Sequence, residues 1–365
     1  MQQITGITHA DMADIALGGA FLGTGGGGDP YIGRLMAQQA IDRHGPVEVV
    51  DVAALDDDAL LIPVAMMGAP TVMLEKLPQG DEAISALRSL EAVLGQKADA
   101  IFCIEAGGLN STIPIAVAAT ARLPLVDGDG MGRAFPELQM VSMTMFGIQA
   151  CPMAMADEKG NTLVLNAVDN LSTEKFARVV TVEMGGAALI ALFPMTGAQA
   201  KEAILRGSLS LITNIGRIVR AEQEANRHPA DRLSNELNGM RLFEGRVTDV
   251  ERRTEGGFAR GQARIEGLDR FHGRTLILRF QNEFLLAVEG ENQYRAMTPD
   301  LICLLDLETG EPITTEQMSY GFSVIVFGLP CDPKWRSDSG LSLVGPSYFG
   351  YDARYQPIEI LNQRS

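Results

Sequence analysis

The pattern of apolar residues changes character part-way along this chain. Up to about residue 126, apolar runs of strand length alternate with 3.6-residue helical periods; from 240 to 328, strand patterns follow one another with only turns between them. Strands 47–52, 59–66, 99–105 and 123–126 are interleaved with helices 81–94 and 111–121, and two more helices precede them, one opening at Thr8 and one at Asp29-Pro30. Alternation of this kind predicts a mostly parallel sheet with helices packed on it. The segments RLFEGRVTDV, GQARIEG, RTLILRFQ, EFLLAVEG, DLICLLDL and FSVIVFG predict a small antiparallel unit. The expected class is therefore α/β plus β: an N-terminal mostly parallel sheet with flanking helices, and a C-terminal part containing a β sandwich/barrel-like domain. A chain of 365 residues is long enough for two cores. The expected division is 1–165 and 166–365, the latter with a helical connection over 172–239, a β-rich stretch over 240–330 and an aromatic segment over 340–365. Within 172–239, residues 197–227 read as one or two long helices.

Composition narrows the partners. Thirty Lys and Arg against 46 Asp and Glu leave a net charge of −16, which repels nucleic acid and anionic membrane surfaces. No uninterrupted apolar run is long enough to span a bilayer. The four Cys are scattered without a CxxC pair, so a reduced cytoplasm is the expected location. The charge is uneven: residues 241–279 hold nine Arg against six acids.

Three glycine-rich turns carry the candidate chemistry. The first is Gly23-Thr24-Gly25-Gly26-Gly27-Gly28-Asp29-Pro30. A helix pattern precedes it, so it is not the dinucleotide fingerprint, which needs a strand there, and it lacks the Gly-Lys-Ser/Thr of a phosphate loop. Its glycines still allow backbone N–H groups to approach a ligand, and the next helix N-terminus adds positive potential. Gly25, Gly26, Gly27, Gly28 and Asp29 are thus candidate substrate-binding residues, a tight helix–helix connection being the alternative. The second is Glu105-Ala-Gly-Gly-Leu-Asn110, at the carboxyl end of a buried strand, where ligands bind in open α/β sheets. Glu105 is either a site carboxylate or half of an ion pair, and Asn110 either binds substrate or caps the next helix. The third is Asp127-Gly-Asp129-Gly-Met-Gly-Arg133. Two carboxylates one residue apart can share a proton, hold a cation or activate water, and Arg133 can bind a carboxylate through both arms. A solvated turn is the alternative there. The four His are dispersed, without zinc-site spacing.

Taken together, these motifs resemble the S-methyl-thiohydantoin desulfurase family. The resemblance rests on LGTGGGGDPYIG (residues 22–33), EAGGLNS (105–111) and LPLVDGDGMGRAFPELQM (123–140), and extends through GSLSLITNIGR (207–217) and GPSYFGYD (345–352). It implies a hydrolase acting on a C–S or C–N bond of a five-membered ring, a small cyclic amide or thioimidate. Water would release a thiol and leave a hydantoin. On that chemistry Asp127, Asp129 and Glu105 are the expected catalytic residues, and the glycine loop, Asn110 and Arg133 the binding residues. No cofactor is expected, although a divalent metal is compatible with these carboxylates. The resemblance also implies association with a hydantoinase/oxoprolinase-type protein, so the alternative is a non-catalytic or regulatory partner of such an enzyme. A homo-oligomer is expected from size and composition.

Overall fold

The computed structural model describes residues 2–68, 82–255, 258–290 and 292–363. Asp81, the expected first residue of a helix, lies outside them. The first unit contains β1 (Gly6–Ile7), α1 (Met12–Leu22), α2 (Tyr31–His44), β2 (Val47–Val50), β3 (Leu60–Gly68), α3 (Glu82–Leu94), β4 (Ala100–Cys103), α4 (Ile113–Ala121) and β5 (Leu125–Asp129). It continues through α5 (Ser142–Met145), β6 (Met153–Ala156), β7 (Thr162–Leu165), α6 (Asn170–Glu183), β8 (Ala187–Ala191), β9 (Met195–Thr196), α7 (Gly197–Ala203), β10 (Leu205–Arg206), α8 (Ser208–Glu224) and α9 (Ala230–Leu237).

Its strands form one sheet in the order β1-β2-β5-β4-β3-β8-β6-β7, with β9 against β3 and β10 against β5. The expected parallel sheet is the core of this array: β2, β5, β4 and β3 pair parallel, and antiparallel strands extend it on both sides. Parallel strands are covered on both faces, which explains why β4 and β5 are buried at every position. Because β8 inserts between β3 and β6, the sheet draws on residues well beyond 165. The helical stretch expected over 197–227 is interrupted. Leu205 and Arg206 pair with Asp129 and Gly128, and this short pairing separates α7 from α8. Helix α2 opens at Tyr31, one residue later than expected; Asp29 still serves its start by accepting from the Tyr31 N–H at 2.9 Å.

Helices α1 and α8 cross at very close range. A Cβ on Gly18 would stand 1.8 Å from the Ile212 carbonyl oxygen, and one on Gly216 would stand 1.8 Å from that of Asp14. Asp14 itself is buried and accepts from Arg220 Nε at 2.8 Å and Nη2 at 2.9 Å.

The second unit holds β11 (Met240–Glu255), β12 (Phe258–Gly267), β13 (Thr275–Gln281), β14 (Glu283–Glu289), β15 (Gln293–Met297), β16 (Leu301–Asp306), β17 (Pro312–Ile313) and β18 (Ser323–Leu329), followed by α10 (Asp338–Val344) and α11 (Ile358–Leu361). The strands make a separate antiparallel sheet in the order β15-β14-β13-β12-β11-β18-β16-β17. It curls, so that β14 and β15 lie against β16. Strands β16 and β18 are buried on both faces. Ile302, Leu304, Val324 and Val326 join the core inside this sheet, while Leu301, Cys303, Leu305, Ile325, Phe327 and Leu329 join the core of the first unit. This double burial is the reason both strands read as continuous apolar runs.

Candidate active site

Strand β4 delivers the chain into the Glu105–Asn110 turn at the carboxyl edge of the parallel strands. Asn110 does not cap a helix. Its Oδ1 accepts from the Met66 N–H at 2.7 Å, and its Nδ2 donates to the Met66 carbonyl at 3.2 Å and to Glu105 Oε1 at 2.7 Å. The end of β3 therefore fixes Asn110, and Asn110 fixes Glu105. Among the described residues Glu105 is not half of an ion pair, and its Oε2 is buried with no hydrogen-bond partner. Burial pushes its carboxyl up to about 8, against the pull of the Asn110 hydrogen bond and with help from the nearby Asp129 charge.

A second carboxyl reaches the same place from the other sheet. Glu283 opens β14 after the tight turn at Asn282, a residue in the left-handed region (φ 57°) tied to Ala259 through both backbone and side chain. Glu283 is buried, its Oε2 is also without a partner among the described residues, and burial together with the charge of Glu105 raises it well above the carboxylate range. Glu105, Asn110, Gly27, Asn282 and Glu283 line one cleft of about 80 Å³. Met66, Met67, Ile190 and Leu192 supply apolar wall, and Glu137, Glu174 and Arg178 supply the remaining polar groups. Arg178 is occupied: its Nε donates to Glu174 Oε1 at 2.7 Å and its Nη2 to the Pro136 carbonyl at 3.2 Å. Tyr348, from the aromatic C-terminal segment, donates its hydroxyl to Glu137 Oε2 at 2.7 Å.

The glycine loop is the wedge that joins the two carboxyls. Thr24 accepts from Phe284 N–H at 2.8 Å, Gly25 from Thr315 N–H at 2.7 Å, and Gly27 from Leu109 N–H at 2.8 Å. A Cβ on Gly26 would lie 2.0 Å from Glu283 Oε1. Of the glycines expected to bind substrate, Gly27 lines the cleft, whereas Gly25 and Gly26 pack against the second sheet and Gly28 does not line it. Asp29 is exposed and starts α2.

The remaining expected residues sit behind the cleft. Asp127 and Asp129 point from β5 toward the N-terminus of α8. Asp127 accepts from the Ser210 N–H at 3.0 Å and the Ser210 hydroxyl at 2.5 Å, capping the helix from another element. Asp129 accepts from Ala106 and Gly132 N–H, both at 2.8 Å, and from the Ser208 hydroxyl at 2.6 Å. Burial still pushes Asp129 up to about 6, against those hydrogen bonds. Neither is a solvated turn residue and neither lines the cleft. Arg133 is fully buried. Its five N–H bonds go to Ala134, Pro299, Asp300 and Phe284 carbonyls and to the Thr24 hydroxyl, so none is free for a substrate carboxylate. It fastens the glycine loop to the second sheet. Among the described residues, no group of three or more His, Cys, Asp or Glu is arranged to hold a metal ion.

Two family models match this chain: the S-Me-THD-like N-terminal domain over residues 10–167 and the S-Me-THD-like C-terminal domain over residues 168–358. The chain belongs to the S-Me-THD-like family. This is the family its motifs resemble. No curated protein matches the chain. A solved structure, described as a protein from Chromobacterium violaceum, is similar to this S-Me-THD-like chain at 25% identity and a TM-score of 0.79, covering 97% of this chain and 100% of the other. In this S-Me-THD-like protein the cleft is also lined by Glu283, Asn282, Glu137, Glu174 and Arg178, which were not among the residues expected from the sequence. One signal for Glu283 was present: a carboxylate opening an otherwise apolar strand directly after a Gln-Asn turn.

Proposed function

We propose that this protein hydrolyses a small uncharged cyclic amide or thioimidate, of the S-methyl-thiohydantoin kind, with Glu105 and Glu283 as the reacting pair. The observation that carries this reading is the meeting of two buried carboxyls from separate sheets, each with one unpartnered oxygen, in one cleft. Paired buried carboxyls do not ionise together, so one loses its proton while the other keeps it. Asn110 donates to Glu105 and favours its charged form, whereas Glu283 stays protonated.

The roles follow. Ionised Glu105 takes a proton from water as the water oxygen attacks the ring carbon that bears sulfur. Glu283 donates its proton to the ring nitrogen of the breaking C=N double bond. Collapse of the tetrahedral centre breaks the C–S bond; the thiolate leaves with the proton held by Glu105, and the new hydroxyl returns its proton to Glu283. The products are a hydantoin and methanethiol, and both carboxyls are restored. No cofactor enters this scheme. Asp129 is a positioning residue: it holds the Ala106 N–H beside Glu105. Carboxyls dominate the cleft and Arg178 is committed to Glu174, so an anionic substrate is disfavoured. The four free cysteines fit a reducing cytoplasm.

The test is methanethiol release by the purified chain alone on S-methyl-thiohydantoins. Turnover that is abolished in Glu105→Gln and Glu283→Gln supports the assignment. Turnover that requires an added hydantoinase/oxoprolinase-type protein would favour the partner role instead.

A further inference from the structure

The outer face of the second sheet carries a charge arrangement that this chemistry does not use. Arg253 on β11 stands directly opposite Arg260 on β12 in the strand register. Arg279 on β13 is opposite Gln262, which places it diagonal to Arg260 on the same face. Like charges directly opposite in an antiparallel pair are destabilising, and diagonal neighbours remain within reach of long side chains. Nearby carboxylates do little to offset them. Glu255 approaches Arg253 at 3.5 Å with both side chains exposed, and Glu251 accepts from Gln262 at 3.1 Å. Among the described residues, Arg260 and Arg279 have no ion pair; Arg279 lies over the Tyr351 ring, 6.0 Å from its centre.

Four other arginines of the segment are paired. Arg241, Arg264, Arg270 and Arg274 each face a carboxylate. Arg260 and Arg279, and Arg253 with only its exposed partner Glu255, instead line one groove of about 730 Å³, floored by the buried Gln281 and walled by Tyr351, which Arg252 and Glu251 also line. In a chain of net charge −16, a concave cluster held at an electrostatic penalty points to a ligand that relieves it.

We propose that this groove binds a small polyanion, with adjacent phosphoryl or carboxylate groups bridging Arg253, Arg260 and Arg279. Guanidinium forks match such oxygens through paired hydrogen bonds. The site is separate from the Glu105–Glu283 cleft and does not depend on the reaction assigned to it. Gln281 faces the groove, and Glu283, two residues on, lines the cleft.

The experiment is calorimetric titration of the full chain with inorganic pyrophosphate, at ionic strength matched with KCl. The expected result is saturable one-site binding that weakens at least about tenfold in Arg260→Gln and in Arg279→Gln. Arg264→Gln, on the same strand and face but outside the groove, should bind as the unaltered chain does. Citrate in parallel separates phosphoryl from carboxylate preference, and saturable binding of either supports the site. Absence of saturable binding of both, equal affinity in the Gln variants, or loss of binding in matched KCl overturns the proposal. A second readout is the melting temperature without ligand. Relief of like-charge crowding should leave Arg260→Gln as stable as the unaltered chain or more so, and a clear drop would show the cluster to be structural, against the proposal.

Discussion

In the proposed mechanism Glu105 is the base, and its protonation sets two pH dependences. As a base it must be ionised, so kcat/KM should climb about tenfold per pH unit up to about 8 and then level. Glu105→Gln should lower kcat by roughly 10²–10⁴-fold, measured as methanethiol release. Stability moves the other way. The carboxyl titrates at about 8 in the folded chain against 4.5 when free, so the folded state holds the extra proton between those values. Its contribution is full below 4.5 and is lost as pH rises toward 8, a loss on the order of a few kcal/mol. Glu105→Gln should therefore melt above the unaltered chain at pH 8, with the gap closing near pH 5; a gap independent of pH would contradict the raised carboxyl. Asp127 provides the contrast. Asp127→Ala should lower stability by about 1–2 kcal/mol through the lost cap on α8, while kcat stays within a few-fold.

At the scale of elements, the glycine loop packs between the two sheets and lines the cleft only at Gly27. Gly26 has no room for a methyl because Glu283 occupies that space. Gly26→Ala should therefore displace the Glu283 carboxyl and cut turnover more than tenfold, for a stability loss of about 1–3 kcal/mol. Unchanged kinetics in a folded Gly26→Ala protein would separate the loop from the site. The same logic of close backbone approach acts where α1 crosses α8 at Gly18 and Gly216, but there it serves packing alone.

At the scale of the whole molecule, the two sheets share their cores. β16 and β18 contribute alternate residues to each, Arg133 spans the junction, and Trp335 donates to the Met131 carbonyl at 2.8 Å from a fully buried position. One unit cannot unfold without exposing the apolar face of the other. Urea unfolding should thus be a single transition, with the fluorescence of Trp335, the single tryptophan, coinciding with far-ultraviolet circular dichroism. Two separated midpoints would show that the units melt independently.

Periodicity and turn chemistry are local, and what they determine was legible in the residues: the parallel core strands, the helices around them, the antiparallel strands after 240 and the three glycine-rich turns. Even Glu105 could be singled out, because its place at the end of a buried strand is a statement about neighbours in sequence. The pairing of Glu105 with Glu283 could not, since 178 positions separate them and only the docking of two sheets brings them together. Nor could the hydrogen-bond partners of Asp127, Asp129 and Arg133. A carboxylate in an Asp-Gly-Asp turn reads as chemistry until the fold sets the N-terminus of α8 before it, and an arginine reads as a ligand clamp until five protein oxygens take its five N–H bonds. Hydrogen-bond partners across long sequence separations are fixed by tertiary packing, and it is those partners that decide whether a polar side chain holds the structure or is left free to react.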